Sequence, residues 1–498
     1  MQKSETVMEQ SCSLDVLREI SRKLDKLDDL GKTLEKAKSM ESLEYVEHTV
    51  DADIAILHGK VVLPDQGVFR ANIYIKDGKI VSIGQQMMHA RKIVDASNCY
   101  VLPGIIDPHV HLGLFAPMQT ELSTETKSAI MGGITTIGCY LGGQQSHFTS
   151  FPETMEQIQK YSYTDVIPHL VISTEEQKKE MQDYIAHLGV TSFKIYMNGI
   201  PGLIPDVDDG FIWEVLGELK KSQKDCILCA HAENRHLVAQ ASKAVANETG
   251  EKATIADWSD THPDMAEEEA VTRLSYLAEK SGVPVYFVHM TSKAAIERLR
   301  KMKPFNDCIH VETTSPYLSL TRHSTSENMI KMEPPFRDSE DVEALWKAVE
   351  DGVVDTIGTD NVTMTKAEKQ MDKDMWGVLP GYPALETHLT VLLHEGVVKR
   401  GIPIEKLVTH ITKRPAETFG VYPQKGTLLP GSDADIVIVD MQQSKEIHAG
   451  ELHSRSDFSL YEGKRLQGVP VMTIQKGKVL MENGVFVGEM PRGTCLER

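Results

Sequence analysis

The sequence has little that would take it out of water or tie it together covalently. No run in its 498 residues is long and apolar enough to span a bilayer, and the first residues are too polar for a secretory signal. The expectation is a cytoplasmic protein with no membrane partner. Its seven cysteines, Cys12, Cys99, Cys139, Cys226, Cys229, Cys308 and Cys495, are scattered and odd in number, which excludes a disulfide framework. Cys226-x-x-Cys229 sits in an apolar strand-like run, so packing is favoured over a redox or zinc role. Positive charge is also scarce. With 53 Lys and Arg against 72 Asp and Glu, the formal net charge is -19, which argues against nucleic acid as the main partner.

What is present is an alternation of apolar strands and amphipathic helical segments between residues 103 and 420. Eight strands are expected, at 104–107, 135–140, 166–172, 192–197, 226–232, 283–290, 309–314 and 355–359, with helices such as 174–188, 267–281 and 292–302 between them. Eight such units predict a (β/α)8 barrel with its site at the carboxyl ends of the strands. An open doubly wound sheet is the competitor, but no Gly-rich dinucleotide loop follows a first strand. Residues 51–102 and 421–490 read as short strands separated by turns such as Lys76-Asp-Gly-Lys79 and Glu482-Asn-Gly484. They are expected to close into one β satellite domain, a small sandwich built from both ends of the chain. Residues 1–50 are expected to form a separate amphipathic helical extension, with Leu17, Ile20, Leu24, Leu27, Leu30 and Leu34 at helical spacing. It either packs on its own subunit or helps oligomerise.

The chemistry lies at the strand ends. The first barrel strand ends in His109-x-His111, two imidazoles on one face of a strand and able to grip one metal ion. The fourth carries Lys194, the fifth ends at His231, the sixth at His289 and the eighth at Asp360. Singly, each has an ordinary structural explanation; together they read as a metal site. A protonated Lys194 among apolar neighbours and divalent cations would be severely destabilised, whereas a neutral amine can add carbon dioxide and become a bridging carbamate, N6-carboxylysine. His109, His111 and Asp360 would then hold one of two divalent ions and His231 and His289 the other. Zinc is the first choice for nitrogen and oxygen donors, with manganese, iron or cobalt as alternatives. Two such ions activate water and polarise a carbonyl, and Asp360 can pass the water's proton to a leaving nitrogen, so hydrolysis of an amide-type bond is expected.

The stretches VLPGIIDPHVHL, GGITTI, SFKIYM, HAEN, VHMTSKAA, PPFRD, GTD and RPAETFGVYPQKGTLLPGSDADIVIVD make the chain resemble the amidohydrolase superfamily, and within it the dihydropyrimidinase/hydantoinase group of cyclic amidohydrolases. The resemblance implies ring opening of a dihydropyrimidine or hydantoin-like cyclic amide or ureide to an N-carbamoyl amino acid, and a homo-oligomer, a tetramer or dimer. The departures fall where substrate is read. The group's Tyr five residues after the bridging Lys is Gly199, its Ser before Pro-Pro is Glu333, its His after the catalytic Asp is Asn361, and its Asn before a loop Gly is Pro380. Tyr196, Glu333 and Asn361 are therefore the candidate substrate-binding residues, with Glu333 placed to accept hydrogen bonds from ring or ureido N–H groups. Allantoinases share the scaffold and generally lack that Tyr. Collapsin response mediator proteins keep the fold but have lost metal ligands, whereas all six positions are intact here. A hydrolase of linear amides is a third reading.

Overall fold

A computed structural model describes residues 52–200, 204–325 and 327–498; the helical extension expected over 1–50 lies outside them. Two nine-stranded sheets organise the described chain. The first is built from both ends of the sequence. Strands β1 (Ala52–Leu63), β2 (Gly67–Lys76), β3 (Lys79–Gly84), β4 (Ala90–Asp95) and β5 (Tyr100–Pro103) precede the barrel. The barrel then uses β6 (Ile105–His111), β7 (Ile134–Leu141), β8 (Asp165–Val171), β9 (Ser192–Tyr196), β10 (Ile227–His231), β11 (Val285–Phe287), β12 (Ile309–Thr314), β13 (Thr356–Gly358) and β14 (Asn361–Val362). Strands β15 (Ile436–Glu446), β16 (Arg465–Gln475), β17 (Lys478–Glu482) and β18 (Val485–Phe486) return to the first sheet, where β15 pairs antiparallel with β5. The fold is a (β/α)8 barrel carrying a β-sandwich satellite.

The barrel sheet is parallel throughout and runs in chain order from β6 to β13. It closes through a break in its eighth strand: β13 pairs with β12, and β14, resuming after a gap of two residues, pairs with β6. The gap holds Thr359 and Asp360. Inside the barrel, Ile106, Tyr140, Ile167, Cys229 and Tyr286 pack together, with Phe419 and Leu496 from the chain's later segments in the same cluster. The helices on the outside follow the expected caps. Thr174 closes a capping box with Gln177 ahead of the helix Glu175–His187, and Asp264–Ser281 ends at Gly282 with φ 70°. The residues of Cys226-x-x-Cys229 lie in different apolar clusters, because side chains three apart on a strand point to opposite faces, so the pair cannot chelate an ion together.

Some strands differ from their sequence expectation. Among the short strands expected over 51–102, the apolar runs 54–57 and 61–63 would be two, but they form one strand, β1, with an irregularity between Ile56 and Gly59. His58 there has φ 63° and is exposed, which breaks the apolar alternation. Strand β4 is absent from the sequence reading because most of its side chains face water, Val94 being its one buried residue.

Barrel and satellite meet at a buried charge cluster. Lys425 Nζ lies 2.5 Å from Asp165 on β8, 2.9 Å from Asp433 and 2.7 Å from Asp435, the last two just ahead of β15. Lys476 reaches Asp165 at 2.6 Å and Lys79 reaches Asp433 at 2.6 Å. Burial opposes the Lys425 charge, but the three carboxylates outweigh it and raise the amine's pKa. Three aspartates this close could hold a metal ion, but the lysine amine occupies the position. Replacing Lys425 by Met would leave three buried carboxylates short of their shared cation. Lys425→Met is expected to cost about 3–5 kcal/mol of stability, read by chemical denaturation; an unchanged midpoint would show that the cluster carries no stability.

Candidate metal and active site

Six side chains of the described chain converge at the carboxyl ends of the barrel strands. His109 Nε2 and His111 Nε2 are 3.3 Å apart and lie 3.2 and 3.3 Å from Asp360 Oδ1. These three ligand atoms are close enough to share one ion. The His109 ring stacks on the His289 ring at 5.4 Å between centroids, and His289 meets the His231 ring at 4.6 Å. Lys194, wholly buried, has its amine 4.6 Å from the centre of the Tyr140 ring and 5.0 Å from that of Tyr196. Tyr140 in turn packs on His109. The sequence-predicted ligand set is thus one spatial cluster.

The donor set fits divalent metal. Burial, then the nearby Lys194 or His231, pushes the His109 and His289 rings well below the ordinary imidazole range, so they are neutral and carry lone pairs. His289 Nδ1 and Lys194 Nζ are buried and have no hydrogen-bond partner among the described residues. Burial lowers the Lys194 amine to about 8, against the opposing pull of Asp360, Cys229 and Glu312. Native interiors rarely leave such groups unpaired, and an unpaired set at one point marks a place where something else binds.

A second layer holds the first in place. His109 Nδ1 lies 3.1 Å from Glu312 Oε1, which turns Nε2 toward His111 and Asp360. His231 Nε2 lies 2.8 Å from Glu233 Oε2, leaving Nδ1 as its free donor atom. Burial alone would raise Glu233, but His262, His231 and Arg337 outweigh it and hold the carboxyl at about 2. Asp107 accepts from the backbone N–H groups of His109 and Thr359 and from the Thr359 hydroxyl, clasping the first strand to the broken eighth. His289 and Asp360 have φ 44° and 54°, strained values for residues with a Cβ, and both stand at the site. Sequence reasoning missed Asp107, Glu233 and Glu312. Asp107 lies two residues before His109 on β6 and Glu233 two residues after His231, just past the end of β10, and that spacing from a candidate ligand is the signal that could have found them.

The cluster opens into a cavity of about 430 Å3 whose walls are largely apolar, among them Leu114, Phe115, Trp258 and Trp376. Tyr196, Glu333 and Pro380 line it. Asn361 does not. Its amide donates to Thr363 Oγ1 and accepts from the Ala384 N–H, which holds the loop after the eighth strand, while its neighbours Asp360 and Val362 face the cavity. Gly199 has φ 69°, and a Cβ there would fall 2.7 Å from the Asp206 nitrogen, so no larger residue fits without a shift of the loop. Tyr196 and Tyr140 both bring phenols to this cavity, and burial keeps both protonated.

Residues 100–480 match the family model described as Amidohydrolase family. The chain is 31% identical over 465 residues to D-hydantoinase from Ralstonia pickettii, covering 90% of this chain and 99% of that protein. It is 28% identical over 459 residues to L-hydantoinase from Paenarthrobacter aurescens, covering 90% and 98%. Among solved structures it is similar to dihydropyrimidinase from Brevibacillus agri, with a TM-score of 0.82 at 27% identity, over 89% of this chain and 98% of that one.

The second layer yields a test. Glu312→Gln replaces the buried carboxyl that fixes the His109 ring, one that burial raises well above the ordinary carboxylate range, and is expected to weaken divalent-metal binding about 10–100-fold with the fold intact. Metal titration alongside a melting curve checks this; unchanged affinity would remove Glu312 from the site.

Proposed function

The chain belongs to the amidohydrolase family, and on that footing we propose that it opens a cyclic amide, a dihydropyrimidine or hydantoin-like ring, to an N-carbamoyl amino acid. The observation that carries this reading is the orphaned amine of Lys194, buried between the Tyr140 and Tyr196 rings and lining the cavity. The amine adds carbon dioxide and releases one proton, giving a carbamate with two oxygens. His109, His111 and Asp360 would hold one divalent ion, His231 and His289 the other, and carboxylated Lys194 both. Zinc suits these donors first, with manganese, iron or cobalt as alternatives. When bound, the ions supply water activation near neutral pH and polarisation of the scissile carbonyl.

The remaining chemistry belongs to the chain's own residues. Asp360 takes the proton of the attacking water at its carboxylate and delivers it to the ring nitrogen as the C–N bond breaks. Its positive φ aims the carboxylate back at His109 and His111. The Tyr196 phenol, protonated in its buried place, donates to the oxygen on which charge develops. The apolar walls limit water to the reacting face. The enzyme works in the cytoplasm on a small cyclic amide or ureide, as a dimer or tetramer, and needs no nucleic acid or membrane. Among the described residues no helix is long and apolar enough to cross a membrane.

Purified protein given hydantoin and dihydrouracil is expected to release N-carbamoyl products, to stop on chelation and to resume on adding zinc, manganese or cobalt; metal-replete protein that opens no cyclic amide would refute the reading. Lys194→Ala is expected to lose bound metal and turnover together, with partial rescue by short carboxylic acids. Wild-type metal content in that variant would exclude a bridging role. Asp360→Asn is expected to lower kcat about 10^2–10^4-fold, and a smaller loss would move the proton transfer to another group.

A further inference from the structure

Two charged side chains, Lys331 and Glu333, interrupt the apolar stretch of the cavity wall away from the metal cluster. They are differently employed. Lys331 Nζ donates to the Met375 carbonyl at 2.8 Å and stands 4.0 Å over the Trp258 ring, so its charge holds the 366–381 loop against the cavity. Glu333 has no hydrogen bond or ion pair with any described residue, although its carboxylate faces the cavity. The backbone presenting it is held on both sides. Tyr317 Oη donates to the Pro334 carbonyl at 2.5 Å, and the Lys331 carbonyl accepts from the Gly381 N–H and from Lys369 Nζ, each at 3.0 Å. A partly exposed carboxylate in an apolar wall, with no protein donor beside it, gains when a substrate donor reaches it. Burial, with Glu233 adding, raises its carboxyl to about 7 while Lys331 opposes, so it responds to any donor placed beside it.

We propose that Glu333 selects ring substrates whose substituent carries N–H donors, an amino or ureido group, over the same ring with an alkyl chain. This rests on the ring-opening reading and names the class of ring within it. The carboxylate offers two acceptor oxygens, and an alkyl chain leaves both unpaired in the wall. A pocket built around such a group rejects an analogue that lacks the donor far more strongly than an apolar pocket rejects one that is a methylene short.

The test uses full-length, metal-loaded protein and three hydantoins substituted at carbon 5 with 3-aminopropyl, 2-ureidoethyl or butyl. The donor-bearing rings are expected to exceed the butyl ring about 10–100-fold in kcat/KM, mainly through KM. Glu333→Ala should bring that ratio close to one at unchanged metal content, and Glu333→Gln should retain the ureido preference better than the amino preference. Calorimetric binding of the same three compounds reads selection without turnover. Donor-selective binding with no ring opening would sink the ring-opening reading and leave the selection standing. Equal binding and turnover of all three rings, or an unchanged ratio in Glu333→Ala, would overturn the selection and leave the reaction standing.

Discussion

A lysine amine with no acceptor, set at the centre of a barrel, is the constraint on which the site depends. Lys194 stands on β9 between the rings of Tyr140 and Tyr196, wholly buried and without a hydrogen-bond partner among the described residues. A full positive charge in such a place is costly. Burial answers by lowering the amine to about 8, so a substantial neutral fraction exists near physiological pH, and a neutral amine is a nucleophile. The surrounding imidazoles follow the same logic: His109 and His289 are driven to neutrality by burial, and then by Lys194 beside the first and His231 beside the second. One layer further out, Glu312 and Glu233 stand behind His109 and His231: His262, His231 and Arg337 hold Glu233 ionised against its burial, whereas burial raises Glu312 well above the ordinary carboxylate range.

The broken eighth strand supplies the remaining candidate ligand, Asp360. A continuous strand would pair from β13 into β14 and bury position 360 in the wall. Instead the chain turns through positive φ at Asp360, and Asp107 takes up the freed Thr359 N–H and hydroxyl. Such a conformation costs about 1–3 kcal/mol, and the Asp107 hydrogen bonds and the closure of β14 onto β6 offset it. Barrel closure and ligand placement are therefore one structural event, and Asp107 serves both.

Much of this could be read from the chain, for identifiable reasons. Barrel strands are buried on both faces and appear as apolar runs, so eight of them were visible. Candidate ligands at strand ends share the strand's alternation, so His109, His111, Lys194, His231, His289 and Asp360 could be collected by position alone. The satellite was harder, because strands such as β4 are mostly solvated and β1 hides its continuity behind a positive φ at His58. The carboxylates behind the histidines were hidden for another reason. Glu312 reaches His109 from 203 residues away, and no local pattern encodes that approach. Asn361 illustrates the limit of position as a guide: it adjoins Asp360 in sequence, yet alternation turns it into the loop, where Thr363 and Ala384 use its amide.

The metal cluster and the rest of the cavity wall are built by different means. The cluster is held by strand ends and by carboxylates behind them, which move only if the barrel moves. The wall is held by loops, and its anchors are two buried lysines: Lys369 donates to the carbonyls of Lys331, Leu379 and Gly381, and Lys331 to that of Met375. Carbonyl acceptors specify no side chain, so residues along these loops can be exchanged while the backbone path stays fixed. Glu333 and Pro380 lie on such stretches, and Gly199 on a turn whose φ of 69° leaves no room for an aromatic side chain. A chain so arranged keeps its reaction type in the barrel and its choice of ring in the loops. Fold likeness to hydantoinases speaks for the first; only the wall's own chemistry speaks for the second.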